Sequence, residues 1–144
     1  MILRCILIPI GCGQLLLPSA VVAEICSYDE PKEITNHNGV LGFIDWCDKE
    51  LPLLSVEEGL SLPASGCVNK YQNLILYGLD TIEFYAIRAT DMPRSLMVKS
   101  ENLIELEQID YHNGLIYRVQ YESEEAWLPD LSYLEGIVSR QINK

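Results

Sequence analysis

From residue 115 onward the chain alternates. Leu115, Tyr117, Val119 and Tyr121 take one set of positions, and Ile116, Arg118 and Gln120 take the other. A period of two places the four large side chains on one face of a strand. His112-Asn113-Gly114 stands just before it. Asn-Gly favours a type I′ hairpin turn, because both central residues then need positive φ. Residues 103–111 are therefore expected to be the partner strand, in a register that sets Glu105 opposite Glu122. Further on, Ser132-x-x-Glu135 has capping-box spacing, with Pro129 just upstream. Leu131, Leu134, Val138 and Ile142 then share one helical face.

The same order occurs earlier. His37-Asn38-Gly39-Val40-Leu41 matches His112-Asn113-Gly114-Leu115-Ile116 at a spacing of 75 residues. Leu51-Pro52 and its Ser55-x-x-Glu58 match Leu128-Pro129 and Ser132-x-x-Glu135 at a spacing of 77. This predicts an internal duplication of a hairpin–helix unit, over about 29–62 and 104–140. Pro63 stops the first helix early. Gly59 and Gly136 inside these helices suggest close packing of helix on strand. Residues 73–79, 81–90 and 94–99 read as further strands. The expected fold class is α+β, a small antiparallel sheet with helices on one face.

Residues 1–23 have a different pattern. Arg4 is the only charge before Glu24, an apolar run extends from Cys5 to Leu17, and Val21-Val22-Ala23 is a small-residue stretch. Together they read as a secretory signal, with a single domain over 24–144. Lipidation of Cys12 is the variant of this reading. The expected location is therefore periplasmic or secreted, with no transmembrane helix in the mature chain. Of five cysteines, Cys26, Cys47 and Cys67 would then meet an oxidising compartment. Cys26–Cys47 is the preferred disulfide, since each lies on one side of the first predicted hairpin.

Composition narrows the partners. The 144 residues are 49% hydrophobic and 22% charged, which suits a folded domain. Ten Lys+Arg against 21 Asp+Glu give a net charge of −11. Nucleic acid is excluded as a partner, because phosphate binding needs a basic footprint. Between 100 and 135 nine acids face one base, Arg118. Glu105, Glu107, Asp110, Glu122, Glu124 and Glu125, with Tyr121 and Trp127 as aromatic anchors, form the candidate surface for a basic protein partner.

Catalytic signals are sparse. There are two histidines, His37 and His112, and no metal-binding, nucleophile-elbow or phosphate-loop motif. No catalytic residue, cofactor or metal is expected. Ser65-Gly66-Cys67 has no local activating feature. The leading reading is a small exported acidic binding protein of the inhibitor or immunity type. The alternatives are an exported enzyme or enzyme subunit using carboxylates with His112, and an envelope structural component.

Overall fold

The computed structural model describes residues 2–11, 13–33, 39–60, 70–108 and 115–142. In chain order the strands are β1 (Ile2–Ile10), β2 (Gly13–Pro18), β3 (Val22–Ser27), β4 (Val40–Trp46) and β5 (Lys49–Leu54). A one-turn helix α1 (Val56–Gly59) follows, then β6 (Gln72–Tyr77), β7 (Phe84–Ala89), β8 (Arg94–Lys99) and β9 (Leu103–Gln108). The chain continues with β10 (Leu115–Tyr121), β11 (Glu124–Pro129) and helix α2 (Leu131–Ile142). The strands form a six-stranded sheet, β8-β1-β2-β11-β10-β9, and a five-stranded sheet, β3-β6-β7-β5-β4. Each is mixed, because β11 runs parallel to β2 and β5 parallel to β7. The molecule is mainly β, and the expected small antiparallel sheet with helices on one face is corrected to two mixed sheets.

The leader-like segment is the heart of this fold. Ile6 sits opposite Leu17 and Ile8 opposite Leu15 in the β1–β2 hairpin. These four side chains enter a core between the sheets, with Val40, Leu54, Leu74, Ile87 and Leu134. Cys5, Leu7 and Leu16 point the other way, into the interior of the six-stranded sheet, with Val98, Val119 and Ala126. A strand buried on both faces loses its alternation and reads as a continuous apolar run. A signal h-region looks the same. Cleavage after Ala23 would remove β1 and β2 and strip β8 of its sheet partner. The signal assignment is therefore withdrawn. Cys12 itself lies outside the described residues, and cleavage before it would still remove β1.

The two sheets are wired alike. In each, one antiparallel hairpin (β1–β2 or β6–β7) lies parallel-edge against another (β11–β10 or β5–β4). The next strand then leaves its own sheet. After β2 the chain crosses to add β3 beside β6, and after β7 it crosses to add β8 beside β1. Residues 40–60 and 115–135 follow the same course at a constant spacing of 75: strand, turn at 47–48 or 122–123, strand, capped helix. The spacing extends upstream, where Lys32 bridges Phe43 as Glu107 pairs with Arg118. Ile44 and Val119 are buried at equivalent places, and Arg118 is exposed.

Several details differ from expectation. The two-residue hairpin turns are Cys47-Asp48 and Glu122-Ser123, with positive φ at Cys47, Asp48 and Glu122. Asn38, Asn113, Gly114, His37 and His112 lie outside the described residues. Gly39 is held at φ +89°, and a Cβ there would come within 2.6 Å of the Gly59 nitrogen. Its role is close approach to α1, which also lets its carbonyl accept from Ser55 N at 2.7 Å. Ser55 caps α1 by accepting from Glu58 N at 3.5 Å. In α2 the cap is Asp130, not Ser132: Asp130 Oδ1 accepts from Ser132 N at 3.0 Å and Tyr133 N at 3.3 Å. Gly136 has open space where a Cβ would stand, so close packing does not explain it.

Glu135 is thereby free of any capping role and does something else. Its carboxylate, on a residue only 4% exposed, reaches the loop between β6 and β7. It accepts from the backbone N–H groups of Leu79, Asp80 (2.8 Å) and Thr81 (2.6 Å), and from the Thr81 hydroxyl at 2.9 Å. Ser139, one turn on, hydrogen-bonds Thr81 Oγ1 as well. The clamp fastens α2 to the five-stranded sheet. Burial alone would raise the Glu135 pKa, but these donors together hold it below the ordinary carboxylate range.

Two predictions follow from the buried hairpin and the clamp. A chain beginning at Glu24 is expected to show no cooperative urea transition by far-UV circular dichroism, where the full chain shows one. Glu135→Gln presents an amide N–H₂ to N–H donors, and is expected to cost about 1–3 kcal/mol at pH 7. Because the folded-state pKa is lowered, this contribution is complete above the unfolded value of about 4.3 and is lost as pH falls through the folded one. Urea titrations across acid pH should show the gap between wild type and variant closing in that window. A constant gap would disprove the carboxylate's part.

Candidate interaction face

The acidic residues singled out by sequence lie on β9, β10 and β11, and the strand register redistributes them. Arg118 pairs with Glu107, Val119 with Glu105, Gln120 with Ile104 and Tyr121 with Leu103. The ladder shifts between Arg118 and Val119, which leaves Leu106 without a cross-strand partner. The expected opposition of Glu105 and Glu122 does not occur. Glu122 sits in the β10–β11 turn, and the one base of the window stands opposite an acid.

Other acids of the set are spent on neighbours. Glu124 accepts from Gln14 Nε2 at 2.6 Å and pairs with Arg94 at 2.9 Å. Its pKa is lowered, first by the Gln14 hydrogen bond and then by Arg94. Glu125 pairs with Arg118 at 2.9 Å. Both pairs are largely exposed and are worth at most about 1 kcal/mol each. Glu105 and Glu122 are exposed on the surface. Asp110 lies outside the described residues, and of Glu107 the structure describes the backbone.

The two aromatic candidates serve the fold. Trp127 lies over Gly13, where a Cβ would stand 3.2 Å from the indole. Tyr121 is 7% exposed and closes the curl of the six-stranded sheet. Its hydroxyl donates to Met97 O at 3.1 Å and accepts from Lys99 N at 3.3 Å, so β10 is tied to β8 across the opening. Trp46, at the equivalent place on β4, donates to Glu24 Oε2 on β3 at 3.4 Å. Each sheet is thus drawn into a barrel-like curl by an aromatic side chain at the same position.

Cys26 shares that Glu24 oxygen, with its Sγ donating at 2.8 Å. Burial first, then the Glu24 hydrogen bond, pushes the Cys26 thiol up to about 12. Cys26 and Cys47 are both free, so the expected disulfide is not present. Cys67 and Ser65 lie outside the described residues. Among the described residues no group of three or more His, Cys, Asp or Glu side chains is placed to hold a metal. No helix among them is long and apolar enough to cross a membrane.

What the sequence reading missed on this face is apolar. Ile104 and Leu106 on β9 are 55% and 41% exposed. Among the described residues β9 is a sheet edge, bonded only to β10. The run Leu103-Ile104-Glu105-Leu106-Glu107 carried the signal, since no single strand face can hide all three apolar residues.

No family model and no curated protein matches this chain. Among solved structures, the scaffolding protein TtCheW from Thermoanaerobacter tengcongensis superposes with a TM-score of 0.74. The match covers 91% of this chain and 86% of that one, at 10% sequence identity. The fold is CheW-like. This likeness and the buried β1–β2 hairpin overturn the exported inhibitor or immunity protein of the sequence reading. The periplasmic or secreted location falls with them, as does the exported setting of the enzyme and envelope alternatives; His112, on which the enzyme alternative rests, lies outside the described residues.

The seam yields a test of the CheW-like curl. Tyr121→Phe removes both hydroxyl hydrogen bonds and leaves Lys99 N and Met97 O without this partner. It is expected to cost about 1–2 kcal/mol, seen as a lower urea midpoint at unchanged slope. An unchanged urea midpoint in Tyr121→Phe would show that the hydroxyl does not close the seam.

Proposed function

We propose that this chain is a protein-binding scaffold module that engages its partner through the free edge and outer face of β9. The observation that carries the reading is the fold likeness to a scaffolding protein over nearly the whole chain. Local chemistry supports the surface. An edge strand offers unpaired backbone groups to a partner strand, and natural proteins usually protect such edges. Here the edge carries Ile104 and Leu106, exposed. They would be the buried anchors of a contact, with Glu105 and Glu122 at its rim. Such a rim favours a partner whose own rim is basic, and acts mostly on the rate of encounter.

The test is direct. A photo-crosslinking residue at position 104 in the full chain, used in the source cells, should capture one dominant protein. Binding of that purified partner is then titrated against Ile104→Lys and Leu106→Lys. Each should weaken binding by about tenfold or more, roughly 1.4 kcal/mol, with an unchanged circular dichroism spectrum. Glu105→Lys should instead slow association and flatten its salt dependence. Full affinity in both lysine variants would refute the β9 surface.

A further inference from the structure

We infer that the open end of the curled six-stranded sheet is a binding site for a neutral apolar small molecule. Leu3 and Cys5 of β1, Leu16 of β2, Val98 of β8, Leu103 of β9 and Leu128 of β11 surround a cavity of about 270 Å³ there. Pro18, the last residue of β2, and Ser100, directly after β8, also line it and mark this as a strand-end opening. The cavity runs inward from the surface. Leu3 is 48% exposed and Cys5 only 3%. The site is independent of the scaffold reading, because it lies inside the curl and not on the β9 edge.

The lining dictates the ligand. It holds no charged side chain, so an ionised group would be stranded inside. A water molecule needs two to four polar partners. The wall offers a Cys5 thiol, a weak donor, and the Ser100 hydroxyl, which already donates to Glu101 Oε2 at 3.4 Å. An aliphatic cavity of about 150 Å³ stays dry and takes up benzene. A space nearly twice as large suits a hydrocarbon skeleton of about ten carbon atoms. β1, β2 and β11 are flanked by strands on both sides, and Tyr121 ties β10 to β8 across the opening, so the sheet itself holds these walls apart.

Cys5 is a reporter built into the wall. In the full-length protein, alkylation by neutral N-ethylmaleimide is followed at each cysteine by peptide mass spectrometry, with naphthalene as the probe. At a naphthalene concentration ten times Kd, labelling of Cys5 should slow about tenfold, while exposed Cys47 is unaffected. Leu3→Trp fills the mouth and should lower naphthalene affinity about tenfold or more by calorimetry. Should that variant fail to fold, wild-type labelling still decides. An unchanged Cys5 rate up to the solubility limit of naphthalene overturns the inference. So does equal slowing of Cys5 and Cys47, or protection by phosphatidylcholine vesicles where naphthalene gives none.

Discussion

Burial of one hairpin on both of its faces organises this molecule. β1 and β2 contribute buried side chains to the core between the sheets and to the interior of the six-stranded curl at once. Ile8 and Leu15 are fully buried, and so are Leu54, Leu74, Ile87 and Leu134 from the elements packed against them. Apolar burial on this scale is the main term that offsets the backbone entropy of ordering the two strands. α2 packs against α1, β4 and β5, and its Leu134 and Val138 enter the same core between the sheets. The Glu135 clamp then sets the helix against the β6–β7 loop.

Legibility in the sequence tracked how many faces a segment buries. Residues 117–121 bury one face, with Val119 and Tyr121 inward and Arg118 exposed, and that alternation is legible in the sequence. Ser55 and its Glu58 were readable as a cap because cap chemistry is local. The β1–β2 hairpin was not, since two buried faces erase the period and leave a run that also suits an export signal. The Asn-Gly pairs were misleading in a different way. They pointed to hairpins that would have paired residues before 112 with residues after it in a two-residue register. The observed ladder is slipped and bulged at Leu106. Parallel contacts, β11 with β2 and β5 with β7, join segments far apart in the chain and leave no local trace.

The candidate site shows the same division. Charge counted along residues 100–135 suggested one acidic patch, but charge acts in space. Arg94 and Gln14, from distant strands, take up Glu124, and Arg118 takes up Glu125. Tyr121 and Trp127, legible in the sequence as prominent aromatics, have contacts within the fold. They hold the curl and cover Gly13. The features that now draw attention, exposed Ile104 and Leu106 and the space beside Cys5, are apolar. Composition cannot separate such residues from core.

The crossing of β3 and β8 between sheets has a consequence for synthesis. β1 and β2 leave the ribosome ahead of the strands that cover them: β8 arrives about 90 residues later and β11 about 110 later. At ~5–20 residues per second the hairpin waits for roughly 5–20 s with its inward-facing leucines and isoleucines uncovered. During that interval the nascent chain presents to the cell the same apolar stretch that a translocation signal would. Protection from aggregation over that interval depends on chaperone occupancy and on how fast the chain from β8 to β11 is made.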